Sequence, residues 1–211
     1  MKEIDPEILE NTRVFHVGSL SLTDDPSRTA TYEAINIARN SGAVISYDPN
    51  YRAALWSDPE TAQLRMQSLI PYVDMMKISD EETSLLTPYQ DPEEAIQYLL
   101  RQGVHLVAVT LGRDGALIGN ENGIIKAEGF SSHAVDTTGA GDSFWGGFLA
   151  SYLQEETSPE HLTRAQMIQF GRVGNAVASL CVERRGGISA IPEMEEIEAV
   201  SYTHLTLPTN A

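Results

Sequence analysis

Short β-branched runs alternate along this chain with stretches whose apolar residues recur at helical spacing, and that alternation limits the fold more than any other feature. Val14-Phe15-His16-Val17 reads as a first strand, followed by a helix over about Ser27 to Asn40 that stops near Gly42. Ala43-Val44-Ile45-Ser46-Tyr47 is the next strand. A helix around Pro59 to Leu69 leads to the strand Val73 to Ile78, and a helix over about Pro92 to Arg101 leads to Val107 to Thr110. Strands linked by helical crossovers lie parallel, so this rhythm predicts a mostly parallel sheet with helices on both faces. After Thr110, the turn Gly112-Arg113-Asp114-Gly115 gives way to the short strands Ala116 to Ile118 and Ile124 to Lys126, an antiparallel addition at one edge. Two Gly- and Ala-rich helices, over about Gly141 to Leu153 and Arg164 to Glu183, close the domain.

At 211 residues, 42% of them hydrophobic, the chain is long enough for one sizeable α/β core. Its 30 Asp and Glu against 14 Lys and Arg give a net charge of -16, which repels a nucleic-acid backbone or an anionic membrane at long range. Any phosphate it binds must be held locally, by backbone N–H groups and a few placed basic residues. The single Cys181 cannot close an intramolecular disulfide, and no apolar run reaches the roughly 20 residues of a membrane span. A cytoplasmic location is the expectation. His16, His105, His133, His161 and His204 share no metal-ligand spacing and are assigned no role.

The chemistry concentrates in Asp136-Thr137-Thr138-Gly139-Ala140-Gly141-Asp142-Ser143-Phe144, a glycine-rich turn running straight into an apolar helix. Amides of Gly139, Ala140, Gly141 and Asp142 are expected to face outward at the positive end of the helix dipole, where phosphates or a developing oxyanion are held. Asp142 directly follows three candidate oxyanion donors, a fitting place for a base that takes a proton from an attacking hydroxyl. Acids are also common in a first helical turn for dipole reasons alone. Gly141 and Gly146 begin a Walker spacing, but Gly147 stands where its Lys is required. The third glycine of a dinucleotide fingerprint falls on Phe144, which leaves a dinucleotide oxidoreductase without support.

Asp136 to Asp142 resembles the D-T-x-G-A-G-D signature of the ribokinase (PfkB) carbohydrate kinases. The resemblance implies Asp142 as catalytic base and Gly139, Ala140 and Gly141 as the anion hole. It extends from about Val14 to Pro192 and implies a ribokinase-like doubly wound, mostly parallel α/β sheet. Thr110-Leu111-Gly112-Arg113-Asp114-Gly115 resembles the family's nucleotide-binding strand and turn, with Thr110, Gly112 and Gly115 as contacts, although a plain hairpin turn reads the same way. Asn175 to Ser179 and Gly186 to Ala190 resemble the adenine-pocket helix and the loop beyond it, which makes Asn175 a nucleotide contact.

Lys77-Ile78-Ser79-Asp80-Glu81-Glu82 stands where the family carries N-x-x-E, with Ser79 replacing the Asn. There the resemblance implies that Glu82 organises Mg²⁺ through water, while the same residues also read as an acidic helix start capped by Ser79. Asp48-Pro49-Asn50-Tyr51-Arg52, with Leu55-Trp56 after it, resembles the fructokinase-like D-P-N-x-R-x-x-L-W segment. It marks Arg52 as a phosphate or substrate contact or, equally, as a surface arginine after a proline turn. Asp136 and Thr138 match a K⁺ site of some members, while Ala190 brings no side-chain ligand.

What the family resemblance implies is ATP- and Mg²⁺-dependent phosphorylation of a sugar hydroxyl. Fructose leads, 2-keto-3-deoxygluconate and ribose follow, and a nucleotide-binding module without chemistry is the reading from a different class. The family's N-terminal strands and sheet lid, which carry sugar contacts and often a homodimer interface, have no counterpart here, so the 211-residue chain is expected to be inactive alone. At the other end, Val200 to Thr209 resembles the translation of one frame of a common transposon sequencing adapter. Residues 200–211 are accordingly set apart as a non-native tail from a kinase domain over 1–199.

Overall fold

The computed structural model describes residues 4–203. Six strands, β1 (Val14–Gly18), β2 (Val44–Asp48), β3 (Met75–Ser79), β4 (Leu106–Thr110), β5 (Ala116–Asn120) and β6 (Gly123–Ala127), follow one another across a single sheet in chain order. The fold is α/β, a mixed sheet flanked by helices. By internal packing the chain divides into two units, one up to Val109 together with Gly119–Asn122 and Pro159–His161, the other made of Thr110–Ile118, Gly123–Ser158 and Leu162 onward.

In the first unit, β1 pairs parallel with β2 in the register Val14 to Val44, and β2 pairs parallel with β3 through Ser46 to Met75. Ile45, Ser46 and Tyr47 of β2, Met75, Met76 and Ile78 of β3 and Leu106 to Val109 of β4 are fully buried. Burial on both faces is why these strands read as continuous apolar runs. The helices are α1 (Pro6–Glu10), α2 (Ser27–Asn40), α3 (Pro59–Gln67), α4 (Thr83–Leu86) and α5 (Pro92–Arg101). Helix α2 buries Thr31, Ala34, Ile35 and Ala38, one stripe at helical spacing, and the chain leaves it through Gly42 at a φ of 87°. Asp58 and Asp91 cap α3 and α5, accepting from the amides of Thr61 (2.7 Å) and Glu94 (3.0 Å), each with Pro at the first helical position.

Beyond shifts of a residue or two at element ends, two departures from the sequence reading have identifiable reasons. The strand expected over Val73 to Ile78 starts at Met75, because Asp74 is spent on β2: its amide donates to Ile45 O (2.9 Å) and its Oδ2 accepts from Ile45 N (2.7 Å). The five-residue α1, capped by Asp5, is too short to carry a period that sequence could reveal. Pro159–His161 is clipped to the first unit, where Asn120 Nδ2 donates to Pro159 O (3.1 Å) and Glu121 meets His161 Nδ1 at 2.6 Å.

The second unit is built on α6 (Ala140–Tyr152) and α7 (Arg164–Cys181), with α8 (Met194–Thr203) packed on α7. Phe144, Trp145 and Phe148 of α6 form an aromatic run that meets Phe170 of α7 edge-on at 5.7 Å. The two helices approach backbone to backbone: a Cβ on Gly174 would stand 2.6 Å from Phe144 O, and one on Gly147 would stand 3.1 Å from Gly174 Cα. Helix α8 runs on through Val200 to Thr203, so the boundary drawn after residue 199 falls inside a helix. Val200 packs against Ala176, Val177 and Ile197. Residues 204–211 of the segment set apart as a tail lie outside the described residues.

A buried ion pair joins the last residue of β2 to the middle of β3, with Lys77 Nζ 3.0 Å from Asp48 Oδ2 and both side chains under a tenth exposed. Removing one member strands the other charge away from water, which costs about 3–5 kcal/mol. Lys77→Met is therefore expected to lower the free energy of unfolding by about that amount. Adding Asp48→Asn to it should recover most of the loss, since the neutral amide needs no counter-charge; urea denaturation of the single and double variants measures both.

Candidate nucleotide and phosphate site

The turn ahead of α6 is shaped by one left-handed residue. Gly139, at φ 78°, is the N-cap of α6 and lies so close to Gly187 that a Cβ would stand 3.1 Å from its Cα. The amides of Gly139 and Gly141 have no acceptor among the described residues, as the sequence reading expected of them. Ala140 differs. Its amide donates back to Thr137 O at 3.2 Å, because the left-handed step at Gly139 closes a turn over Thr137 to Ala140. Asp142 is the third residue of the helix and its side chain is exposed, in the first turn where the dipole favours a carboxylate.

Asp136 organises the loop from below. One carboxylate oxygen accepts from Thr138 N (2.9 Å), the other from Gly186 N (3.1 Å), fifty residues along the chain. The Thr138 hydroxyl, these two amides and nearby Arg185 hold its pKa down at about 2, against an ordinary 3.8. Asp136 is thus a fixed negative charge at neutral pH that ties the signature loop to the loop at Gly186. The Cys181 thiol leans weakly on the same structure, 3.9 Å from Thr138 O.

Beside this loop, within the second unit, lies a cavity of about 280 Å³. Of the residues singled out from sequence, Thr110, Gly112, Gly115, Ala140, Gly141 and Asn175 all line it. Its floor is two strands of main chain in direct contact: a Cβ on Gly115 (φ 92°) would stand 2.1 Å from Ala127 O, and one on Gly129 would stand 2.2 Å from Arg113 O. Asn175 is buried and donates Nδ2 to Ala127 O (2.9 Å) and Glu128 O (3.1 Å), which fixes the chain leaving β6 as a wall. Phe130 and Ser132 line the cavity too, and sequence reasoning passed them over. They sit in an aperiodic stretch, where the Gly129-Phe130 pair after a strand was the available signal.

Arg52 and Glu82 belong to the first unit and are not among the lining residues. Glu82 is buried and its carboxylate joins two loops, accepting from Tyr51 N at 2.8 Å on one oxygen and from Ser79 N (2.9 Å) and Oγ (3.1 Å) on the other. Ser79 and Glu82 form a capping box, so the capping reading of these residues holds in the structure. Arg52 is exposed and donates to Tyr51 O at 3.0 Å. The Asp48 to Arg52 loop is further set by Asn50, left-handed at φ 47°, whose amide donates to Asp48 Oδ1 at 3.1 Å.

Sequence comparison places the chain in the pfkB family of carbohydrate kinases, whose model matches residues 1–194; the chain belongs to this family. It is 35% identical over 201 residues to the Arabidopsis thaliana protein named "Probable fructokinase-3", covering 95% of this chain and 57% of the relative. Among solved structures it resembles the Vibrio cholerae fructokinase bound to fructose, ADP and calcium, with a TM-score of 0.82, 32% identity, and coverage of 89% of this chain and 60% of that one. A double mutant of the same enzyme with fructose, ADP and potassium gives a TM-score of 0.83 at 31% identity, over 90% and 60% of the two chains. The chain therefore spans about three fifths of these relatives. Among the described residues, no helix is long and apolar enough to cross a membrane.

Because folded Asp136 gives up its proton more readily than the unfolded chain does, its contribution to stability is complete above the unfolded value of 3.8 and fades as pH falls toward about 2. Asp136→Asn, which sets an amide donor against Gly186 N–H or Thr138 N–H, should lower the melting temperature at neutral pH. The gap from the parent protein should close over that acidic window, as a pH series of thermal melts would show.

Proposed function

We propose that the protein transfers the γ-phosphoryl group of ATP to a sugar hydroxyl, with fructose as the leading acceptor. The observation that carries this reading is the adjacency of three parts in one unit: a base-sized cavity lined by Thr110, Gly112, Gly115 and Asn175, unpartnered amides at Gly139 and Gly141, and Asp142 in the first turn of α6. The cavity would take the adenosine, and the amides and helix dipole would take phosphate charge. The fructose and ADP bound to the Vibrio cholerae fructokinase support the same assignment.

In this reading Asp142 accepts the proton of the sugar hydroxyl as that oxygen bonds to the γ-phosphorus. The bond from the γ-phosphorus to the bridging oxygen breaks, ADP leaves, and the Gly139 and Gly141 amides stabilise the charge on the transferring group. The Ala140 amide takes this part only if its turn to Thr137 opens. Mg²⁺, when bound, neutralises phosphate charge. Glu82 is the residue that the family resemblance offers for holding it through water. Arg52 would contact phosphate or substrate from its exposed position. Asp136, ionised and braced by Thr138, is the charge that would hold K⁺ with neighbouring carbonyls.

A coupled assay of ADP release by the full-length gene product, with ATP, Mg²⁺, K⁺ and fructose, ribose or 2-keto-3-deoxygluconate, tests the proposal. Fructose is expected to give the highest kcat/KM. Asp142→Asn is expected to lower kcat by about 10²–10⁴-fold while leaving ADP affinity within about twofold, the signature of a lost general base. Nucleotide binding with no sugar-dependent ADP release would mean a binding module instead, and an unchanged kcat would remove Asp142 from the mechanism.

A further inference from the structure

Phe130 forms part of the cavity wall, and what steadies it lies outside the cavity. Its ring is packed against the cluster of Ala176, Val177 and Ile197 that joins α7 to α8. The guanidinium of Arg172 stands over the same ring, 5.5 Å from its centroid.

Arg172 and Asn175 are three residues apart on α7, neighbours on one face of the helix. Asn175 holds the carbonyls of Ala127 and Glu128, and Arg172 covers the ring of Phe130 just beyond them. The helix thus grips this wall twice, once by its main chain and once by its aromatic side chain. A planar cation over an aromatic face is attracted by the ring quadrupole and restricts how the ring can turn. Arg172 itself is not among the residues lining the cavity, so any effect on a ligand passes through Phe130.

We propose that Arg172 is a positioning residue for nucleotide binding: from the face of α7 that also carries Asn175, it locks Phe130 as the wall against which the base is held. This rests on the reading of the cavity as the adenosine site. Calorimetric titration of the 211-residue chain with ADP, adenosine and inorganic tripolyphosphate separates the two ideas. Arg172→Met is expected to weaken ADP and adenosine about threefold to tenfold, as loss of a cation–π contact and the ring order it imposes would do, and to leave tripolyphosphate unchanged. Arg172→Lys, which keeps a cation over the ring, should recover most of that loss. Phe130→Leu, with Arg172 intact, should reproduce the selective defect and guards against a misfolded Arg172 variant.

Equal affinity of parent and Arg172→Met for ADP would overturn the proposal. So would a parallel loss of ADP and tripolyphosphate in a variant that melts like the parent, since that describes general loosening instead of a base wall. Failure of the parent chain to bind ADP or adenosine would overturn the adenosine reading of the cavity, and this proposal with it.

Discussion

Direct contact of main chain with main chain is what the cavity and its neighbouring loop depend on. At Gly115 against Ala127 and Gly129 against Arg113 no space exists for a β-carbon, and at Gly139 against Gly187 and Gly147 against Gly174 one would be crowded at 3.1 Å. These contacts bring the β4 to β5 turn onto the chain leaving β6, and the start of α6 onto the loop at Gly186. They leave little freedom for side chains to move, because the interatomic distances are set by backbone alone. The cavity is consequently built before any ligand arrives, which reduces the ordering that binding must impose.

The same construction answers a problem posed by composition. A chain of net charge -16 cannot rely on its long-range field for the phosphate proposed as its ligand. Open amides at a helix start act over a few ångströms only, and there the repulsion of distant carboxylates is weak beside a direct hydrogen bond. Asp136 shows the inverse arrangement in the same loop: a carboxylate used as an acceptor for two amides, which keeps it ionised and the loop closed. The anionic and amide-rich sides of the loop are thereby kept to separate tasks.

Sequence made the long elements legible wherever an end carried its own chemistry. Helix α2 stops where Gly42 supplies a left-handed exit, and α5 starts where Asp91 and Pro92 supply a cap and a preset φ. The left-handed glycine turn running into a helix at the D-T-x-G-A-G-D segment was legible because glycine and helix onset are local properties. What stayed hidden was non-local. The family resemblance alone joined Asp136 to the loop at Gly186, since no local pattern does, and nothing in the residues near Phe130 announces Arg172. The use of the Ala140 amide inside the turn depended on the backbone angle of its neighbour, which sequence allowed but did not require. That α8 runs on through residues 200–203 was likewise not legible, since an apolar contact from Val200 to Ala176 has no signature in either segment alone.

The carboxylate of Glu82 serves two loops at once, and that gives positions 79 and 82 unequal freedom to vary. Position 79 contributes a backbone amide, which every residue but proline owns, and a short side chain with a hydrogen to donate; serine does this, and asparagine has the same equipment. Position 82 must offer two acceptors at the end of a side chain long enough to reach back to residue 79 and across to Tyr51. Aspartate is shorter by a methylene, and glutamine turns one acceptor into a donor facing an N–H. Drift at the first site is therefore cheap while the second is pinned, and the Ser79 of this chain marks a place where the sequence could wander without the loops coming apart.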